Sequence, residues 1–288
     1  MVSLENEVLR GGVLADKGTD VFEFNYKPRD MDFVWLTAGG VRNPTSYLST
    51  SPDPLATFMD YYPGGWQEIF PNGGAPSSYL GAQFGQHGEV SNLPWDYEIV
   101  EGDVSLHAMW GNHLAFGRPF LEVGCRIHLP GGATVIPHDE PTHPDGRRVR
   151  GGKRYDWPFA EGESGEEVDL SVLPEHGTLS EMLYLTDLSE GFYEIENPQK
   201  GLGLRVRWDA DQMPYLWFWQ EYGASGFYPW YGRHYNIGLE PFSSFPTNGL
   251  KEAVDNDTAL SLGARERRRF SLRAEVFEVG PDSREGRG

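Results

Sequence analysis

Three short segments of this chain hold side chains that could do proton chemistry together: GQHGEVSNLPW with His87, MWGNHLAFGRPF with His113, and IGLEPFSSFP with Glu240. A histidine gives or takes a proton near neutral pH, and a glutamate serves as the complementary base. Two histidines and a glutamate converging on one cleft would therefore make an acid/base site. Taken singly, each histidine is also readable as a satisfied structural residue.

The elements that must position these groups are best written between residues 213 and 246, MPYLWFWQEYGASGFYPWYGRHYNIGLEPFSSFP. Period-2 alternation puts Tyr215, Trp217 and Trp219 on one strand face and Leu216, Phe218 and Gln220 on the other. In a second strand Tyr235, Ile237 and Leu239 oppose Asn236, Gly238 and Glu240, and Pro241 keeps Glu240 extended. Aromatic faces cover the C–H side of a pyranose while carboxylates and amides take its hydroxyls, so the combination points to a carbohydrate site. At least one of Trp217, Trp219 and Trp230 should then form a wall of the cleft. The alternative is a Trp-rich sandwich core ending in a surface glutamate.

With 288 residues and 39% hydrophobic content the chain can bury a large core, and a single domain over residues 1–280 is expected. A formal charge of -19, from 43 acidic against 24 basic residues, opposes nucleic acid and anionic lipid surfaces and favours neutral partners. The lone cysteine, Cys125, excludes an intramolecular disulfide, and its strand-like neighbours Gly124, Arg126 and Ile127 indicate a buried structural thiol. MVSLENEVLRGG lacks an apolar leader-like core and no stretch reaches membrane-spanning length, so a soluble, cytoplasmic protein is expected.

Alternation recurs near both ends, at Phe22, Phe24 and Tyr26 and at Phe270, Leu272, Ala274 and Val276, while 36 Gly and 21 Pro punctuate short apolar runs. Brief helices are expected only near Pro54–Tyr61 and Leu250–Val254, which leaves an all-β architecture of many antiparallel strands. Residues 138–180 read as a polar excursion from the sheets that covers the site, and 281–288 as a disordered tail.

The order of these segments resembles the aldose 1-epimerase (galactose mutarotase-like) family, including its less-studied bacterial branches. GTDVFEFNYKP resembles the early strands, GGWQEIFPNGG and GQHGEVSNLPW the surroundings of the first site histidine, WGNHLAFG those of the second, and YNIGLEP the end of the sugar cleft. The resemblance implies a β-supersandwich that interconverts the α and β anomers of a free aldose without a cofactor. It implies Glu240 as the base for the C1 hydroxyl, His113 as the acid for the ring oxygen, and His87 as a second donor. Trp219 and Gln220 resemble the sugar-contacting strand end, with Trp219 as a stacking platform and Gln220 as a hydroxyl partner. Better-known epimerases carry an arginine before the first histidine, where this chain offers Gln67, Glu68 and Asn72, so the contacts to sugar hydroxyls must differ. The monosaccharide is not named by the sequence, and Arg118, Arg126 and Arg233 keep a phosphorylated or otherwise modified sugar open. Oligomeric state is equally unreadable. A non-catalytic carbohydrate-binding relative is the alternative, although a pure binder needs no matched acid and base.

Other chemistries have less support. A glycosidase would need Glu240 paired with Glu89 or Glu221 across a scissile bond. His138, Asp139, Glu140 and His143 lack a recognised ligand spacing and read as solvated loop rather than a metal site. No phosphate-binding or dinucleotide fingerprint is present.

Overall fold

The computed structural model describes residues 1–14, 17–41, 54–92, 106–228, 230–263 and 266–280. The tail expected at 281–288 lies outside them. Among the described residues antiparallel strands dominate, with two short α-helices, Pro54–Tyr61 and Leu250–Asp255. The chain divides into two compact units, 1–115 with 240–269 and 116–239 with 270–288.

In the first unit, strands Val2–Glu5, Leu9–Leu14, Asp20–Tyr26, Trp66–Ile69 and Gly111–Ala115 follow one another in the sheet, each antiparallel to the next. Glu240–Phe242 lies beside the last of these, fixed by hydrogen bonds between Ser243 and Trp110, backbone to backbone at 2.8 Å and backbone to hydroxyl at 3.0 Å. Gly111 is required there, because a Cβ would stand 2.4 Å from the Phe242 ring. Leu250–Asp255 starts where Gly249, at φ 91°, turns the chain, and it buries Leu250 and Ala253. The first free N–H of this helix, on Leu250, is taken by the Asn72 side chain at 2.6 Å.

In the second unit, Tyr215–Tyr222, Thr178–Thr186, Thr134–Pro137 and Tyr155–Asp156 form one antiparallel series, and the Asn236–Phe242 strand, of which 236–239 belong to this unit, is hydrogen-bonded beside Tyr215–Tyr222. Arg126–His128, Phe192–Asn197, Leu202–Trp208 and Leu272–Glu278 form another. Alternation is clean in Phe192–Asn197: Tyr193, Ile195 and Asn197 are buried, while Glu194 faces Arg205 and Glu196 faces His128. The Tyr193 hydroxyl donates to the Leu239 carbonyl at 3.2 Å, tying the two series around a core that includes Leu183, Leu185, Leu204, Leu216, Phe218 and Ile237. Each such side chain contributes on the order of 1.5–3 kcal/mol by leaving water.

The 138–180 excursion is more ordered than its polarity suggests. It contains the hairpin Phe159–Glu161 with Glu167–Asp169 and buries His143, Val149, Ala160, Leu170 and Leu173. The solvated-loop reading of His143 is thereby corrected: its ring is buried 5.7 Å from that of Phe227, and its Nδ1 accepts the Asp145 N–H. Cys125 is buried as well, and burial pushes its thiol up to about 11.

Candidate active site

Glu240 and His113 sit on neighbouring strands of the first unit, with Glu240 Oε1 3.4 Å from His113 Nε2. The other imidazole nitrogen, Nδ1, faces the Tyr62 hydroxyl at 3.4 Å. Tyr62 reaches this place from the end of the Pro54–Tyr61 helix, stacked at 5.0 Å on Phe58. The His87 ring stands edge-on to that of His113, with centroids 5.5 Å apart, and tilts against Phe58 at 4.7 Å. The sequence-selected trio of His87, His113 and Glu240 is thus one cluster. Glu240 is only 1% exposed, which removes the reading of it as a surface residue ending a strand.

His87 is held by its backbone as much as by its ring. It lies at φ 58°, its N–H donates to the Gly74 carbonyl at 3.0 Å, and its Nδ1 accepts the Gly74 N–H at 3.2 Å. That acceptance puts the imidazole proton on Nε2, so His87 presents a donor. Gly74 is itself at φ 74°, and a Cβ there would lie 1.8 Å from the Thr247 carbonyl oxygen.

Burial sets the electrostatics. It raises Glu240 well above the ordinary carboxylate range and lowers His113 to about 4. It also takes His87 well below the usual histidine value, with the neighbouring His113 adding to the shift. An ionised glutamate opposite a protonated histidine is the arrangement that base and acid roles suggest, yet without a ligand burial favours the neutral carboxyl and neutral imidazole. Either form of the pair holds one transferable proton and one vacant acceptor, a single proton's move apart.

Beside this pair lies a second buried group of charges. Gln67 is the direct cross-strand partner of His113, and its Nε2 donates to Asp20 Oδ2 at 2.8 Å. Lys17 Nζ donates to the same oxygen at 2.6 Å and to the Ser91 carbonyl at 3.1 Å. Glu68 points to the opposite strand face, bonded to Trp110 and Asn112.

The remaining candidates divide. Asn72 is fully buried and committed: Nδ2 donates to the Ala75 and Gly85 carbonyls, and Oδ1 accepts from Ser77 and Leu250. It braces the loop that carries His87 and has no capacity left for substrate. Trp217 is fully buried against Tyr184 in the second unit, so it offers no ring face for stacking. Trp219 and Trp230 keep partial exposure and pack at 5.2 Å, with His234 beyond Trp230. Gln220 lies on the other face, opposite Glu181, and accepts from Arg148 at 2.9 Å. Arg148 comes from the 138–180 excursion, and the N–H groups of Arg148 and Val149 donate to Glu181 at 2.9 and 3.0 Å.

Tyr62, Lys17, Asp20, Glu181 and Arg148 escaped the sequence reading. Asp20 opens an alternating strand at the position an apolar residue usually takes, and that was its only signal. No local pattern marks the others.

Solved structures share this fold. A candidate aldose 1-epimerase from Klebsiella pneumoniae subsp. pneumoniae superimposes with a TM-score of 0.71 at 13% identity, over 94% of this chain and 77% of that one. A galactose mutarotase-like protein from Lactobacillus casei gives 0.59 at 14% identity, over 96% and 100% of the two chains. One from Clostridium acetobutylicum gives 0.60 at 13% identity, over 96% and 95%. The fold is accordingly the galactose mutarotase-like all-β fold. No helix among the described residues is long and apolar enough to cross a membrane. No curated protein matches the sequence. A family profile matches residues 96–276, more than half of the chain, and the protein therefore belongs to the family described as domain of unknown function DUF4432.

Proposed function

We propose that the protein is a cofactor-independent aldose 1-epimerase-like enzyme that interconverts the α and β anomers of a free monosaccharide. The observation that carries this is the 3.4 Å approach of Glu240 to His113, with the His87 ring 5.5 Å from that of His113. Anomer exchange requires one proton removed from the C1 hydroxyl and one delivered to the ring oxygen, which is what a carboxyl–imidazole pair sharing one proton supplies.

Glu240 in its carboxylate form takes the C1 hydroxyl proton. As the C1–O1 double bond forms, the bond from C1 to the ring oxygen breaks, and His113 delivers its proton to that oxygen. The aldehyde rotates and the ring recloses by the reverse steps. The neutral His87, a donor through Nε2, polarises the ring oxygen. A sugar hydroxyl donating to Glu240 Oε2, a buried atom with no hydrogen-bond partner among the described residues, favours the ionised carboxylate and so moves the shared proton onto His113.

Saturation-transfer NMR on a panel of free aldoses tests the proposal. Magnetisation should pass between the anomeric protons of at least one sugar faster with protein than without. Binding with no exchange on any sugar would make this a carbohydrate-binding relative without turnover.

A further inference from the structure

We propose that Asp20 and Gln67 form a subsite beside His113 that receives the hydroxyl hydrogens of an uncharged sugar, with Lys17 holding Asp20 in place. The inference rests on the reading of Glu240 and His113 as a sugar site and names the chemistry of what binds next to them.

Asp20 is fully buried and Gln67 is 2% exposed, yet Asp20 Oδ1 and Gln67 Oε1 have no hydrogen-bond partner among the described residues, and neither does Glu240 Oε2. All three atoms are acceptors. A buried acceptor without a donor costs on the order of 1–3 kcal/mol, so three of them call for a ligand that brings several donors. The orientation of the Gln67 amide is fixed by chemistry: turned over, its oxygen would face the Asp20 carboxylate, so Nε2 stays on Asp20 and Oε1 is left to a ligand.

Position ties Gln67 to the reacting pair. Gln67 and His113 are directly opposed in the strand ladder, which sends both side chains to the same face with Cβ atoms about 4.5–5.5 Å apart. Burial holds the Tyr62 phenol, which faces His113, well above its ordinary range, and the charges of Glu240 and Asp20 add to the shift, so both carboxylates lie within electrostatic reach of it.

The same geometry selects the ligand's charge. Lys17 is 3% exposed, and its ammonium is committed to Asp20 and the Ser91 carbonyl. A buried ion pair of this kind is poor value as stabilisation, but it holds a carboxylate where hydroxyls can reach it. A phosphate or carboxylate on the sugar would meet acceptors here and, among the described residues, no uncommitted cation, whereas hydroxyls of a neutral pyranose donate to these acceptors.

The test uses glucose, galactose and mannose with their monodeoxy and deoxyfluoro analogues, whose binding to the full-length protein is followed by titration calorimetry. Fluorine keeps acceptor character and loses the donor, so at one ring position both analogues should bind about ten- to a hundredfold more weakly than the parent sugar. That penalty should vanish in Gln67→Met and persist in Gln67→Glu, with folding of each variant checked by thermal denaturation. The subsite is overturned if no ring position shows the donor-dependent loss, if Gln67→Met keeps the full penalty, or if none of the sugars binds. Saturation-transfer NMR on the same samples separates the two readings: exchange without a Gln67-dependent penalty sinks only the subsite. A Gln67-dependent penalty without exchange sinks only the epimerase reading.

Discussion

Glu240 Oε1 and His113 Nε2 lie 3.4 Å apart between neighbouring strands, and both side chains are almost wholly buried. At that separation in a low-dielectric setting neither group titrates alone. Because their ordinary ranges have been driven past one another, one proton belongs to the pair over a wide span of pH. A surface Glu–His contact would give neither the overlap nor the coupling, so burial is what turns two ordinary side chains into a bifunctional group.

Replacing either member should remove turnover without removing the fold. Glu240→Gln keeps shape and hydrogen-bonding capacity but no base, and His113→Asn keeps a polar amide but no transferable proton. Each should lower protein-catalysed anomer exchange by about 10²–10⁴-fold while sugar affinity changes little. Because the groups act as a unit, the double variant should be scarcely slower than the worse single one. Near-normal exchange in Glu240→Gln would show that another group takes the C1 proton.

The pH dependence follows from the same pair. Below about 4 His113 gains a proton while Glu240 keeps its own, so no acceptor remains. Well above the ordinary carboxylate range Glu240 loses its proton while His113 has none to give, so the donor disappears. Exchange measured as kcat/KM should describe a bell whose acid limb lies below the usual histidine range and whose basic limb lies above the usual glutamate range. A rate that simply rises through the ordinary histidine pKa would contradict the assignment.

Much of this was legible in the sequence, because period-2 alternation and turn residues are local signals. Alternation at 235–240 marked Asn236–Phe242, the strand that places Glu240, whereas Trp66–Ile69 and Gly111–Gly117, which place Gln67 and His113, entered only as the family-like segments GGWQEIFPNGG and WGNHLAFG. What alternation cannot report is depth. It assigned Trp217 and Trp219 to one face, but only the packing of Tyr184 against Trp217 shows that this end of the face is core. Asn72 looked like a sugar ligand because its four partners are scattered from Ala75 to Leu250. The tie of Asp20 to Gln67 spans 47 residues and that of Lys17 to Ser91 spans 74, so neither partner is marked by a local pattern.

The two tryptophans should separate experimentally. Trp217→Ala leaves a cavity in a filled core and should cost about 3–5 kcal/mol, read as a lowered denaturation midpoint. Trp219→Ala removes a partly exposed ring and should cost clearly less stability than Trp217→Ala. Equal destabilisation by the two substitutions would show that Trp219 is as much a part of the core as Trp217.

Gly74 offers a test of how far the site depends on its loop. At φ 74° a side chain is strained, and a Cβ would lie 1.8 Å from the Thr247 carbonyl oxygen, which is backbone and cannot swing away. Gly74 also exchanges two hydrogen bonds with His87, so any shift that relieves the clash loosens the Nδ1 contact that fixes the tautomer. Gly74→Ala should therefore lower stability by more than about 1 kcal/mol and reduce anomer exchange beyond what the unfolded fraction explains. In the imidazole region of the proton NMR spectrum the His87 resonance should move. Full exchange activity per folded molecule, with an unmoved His87 signal, would mean that the Gly74 contact does not position this histidine for catalysis.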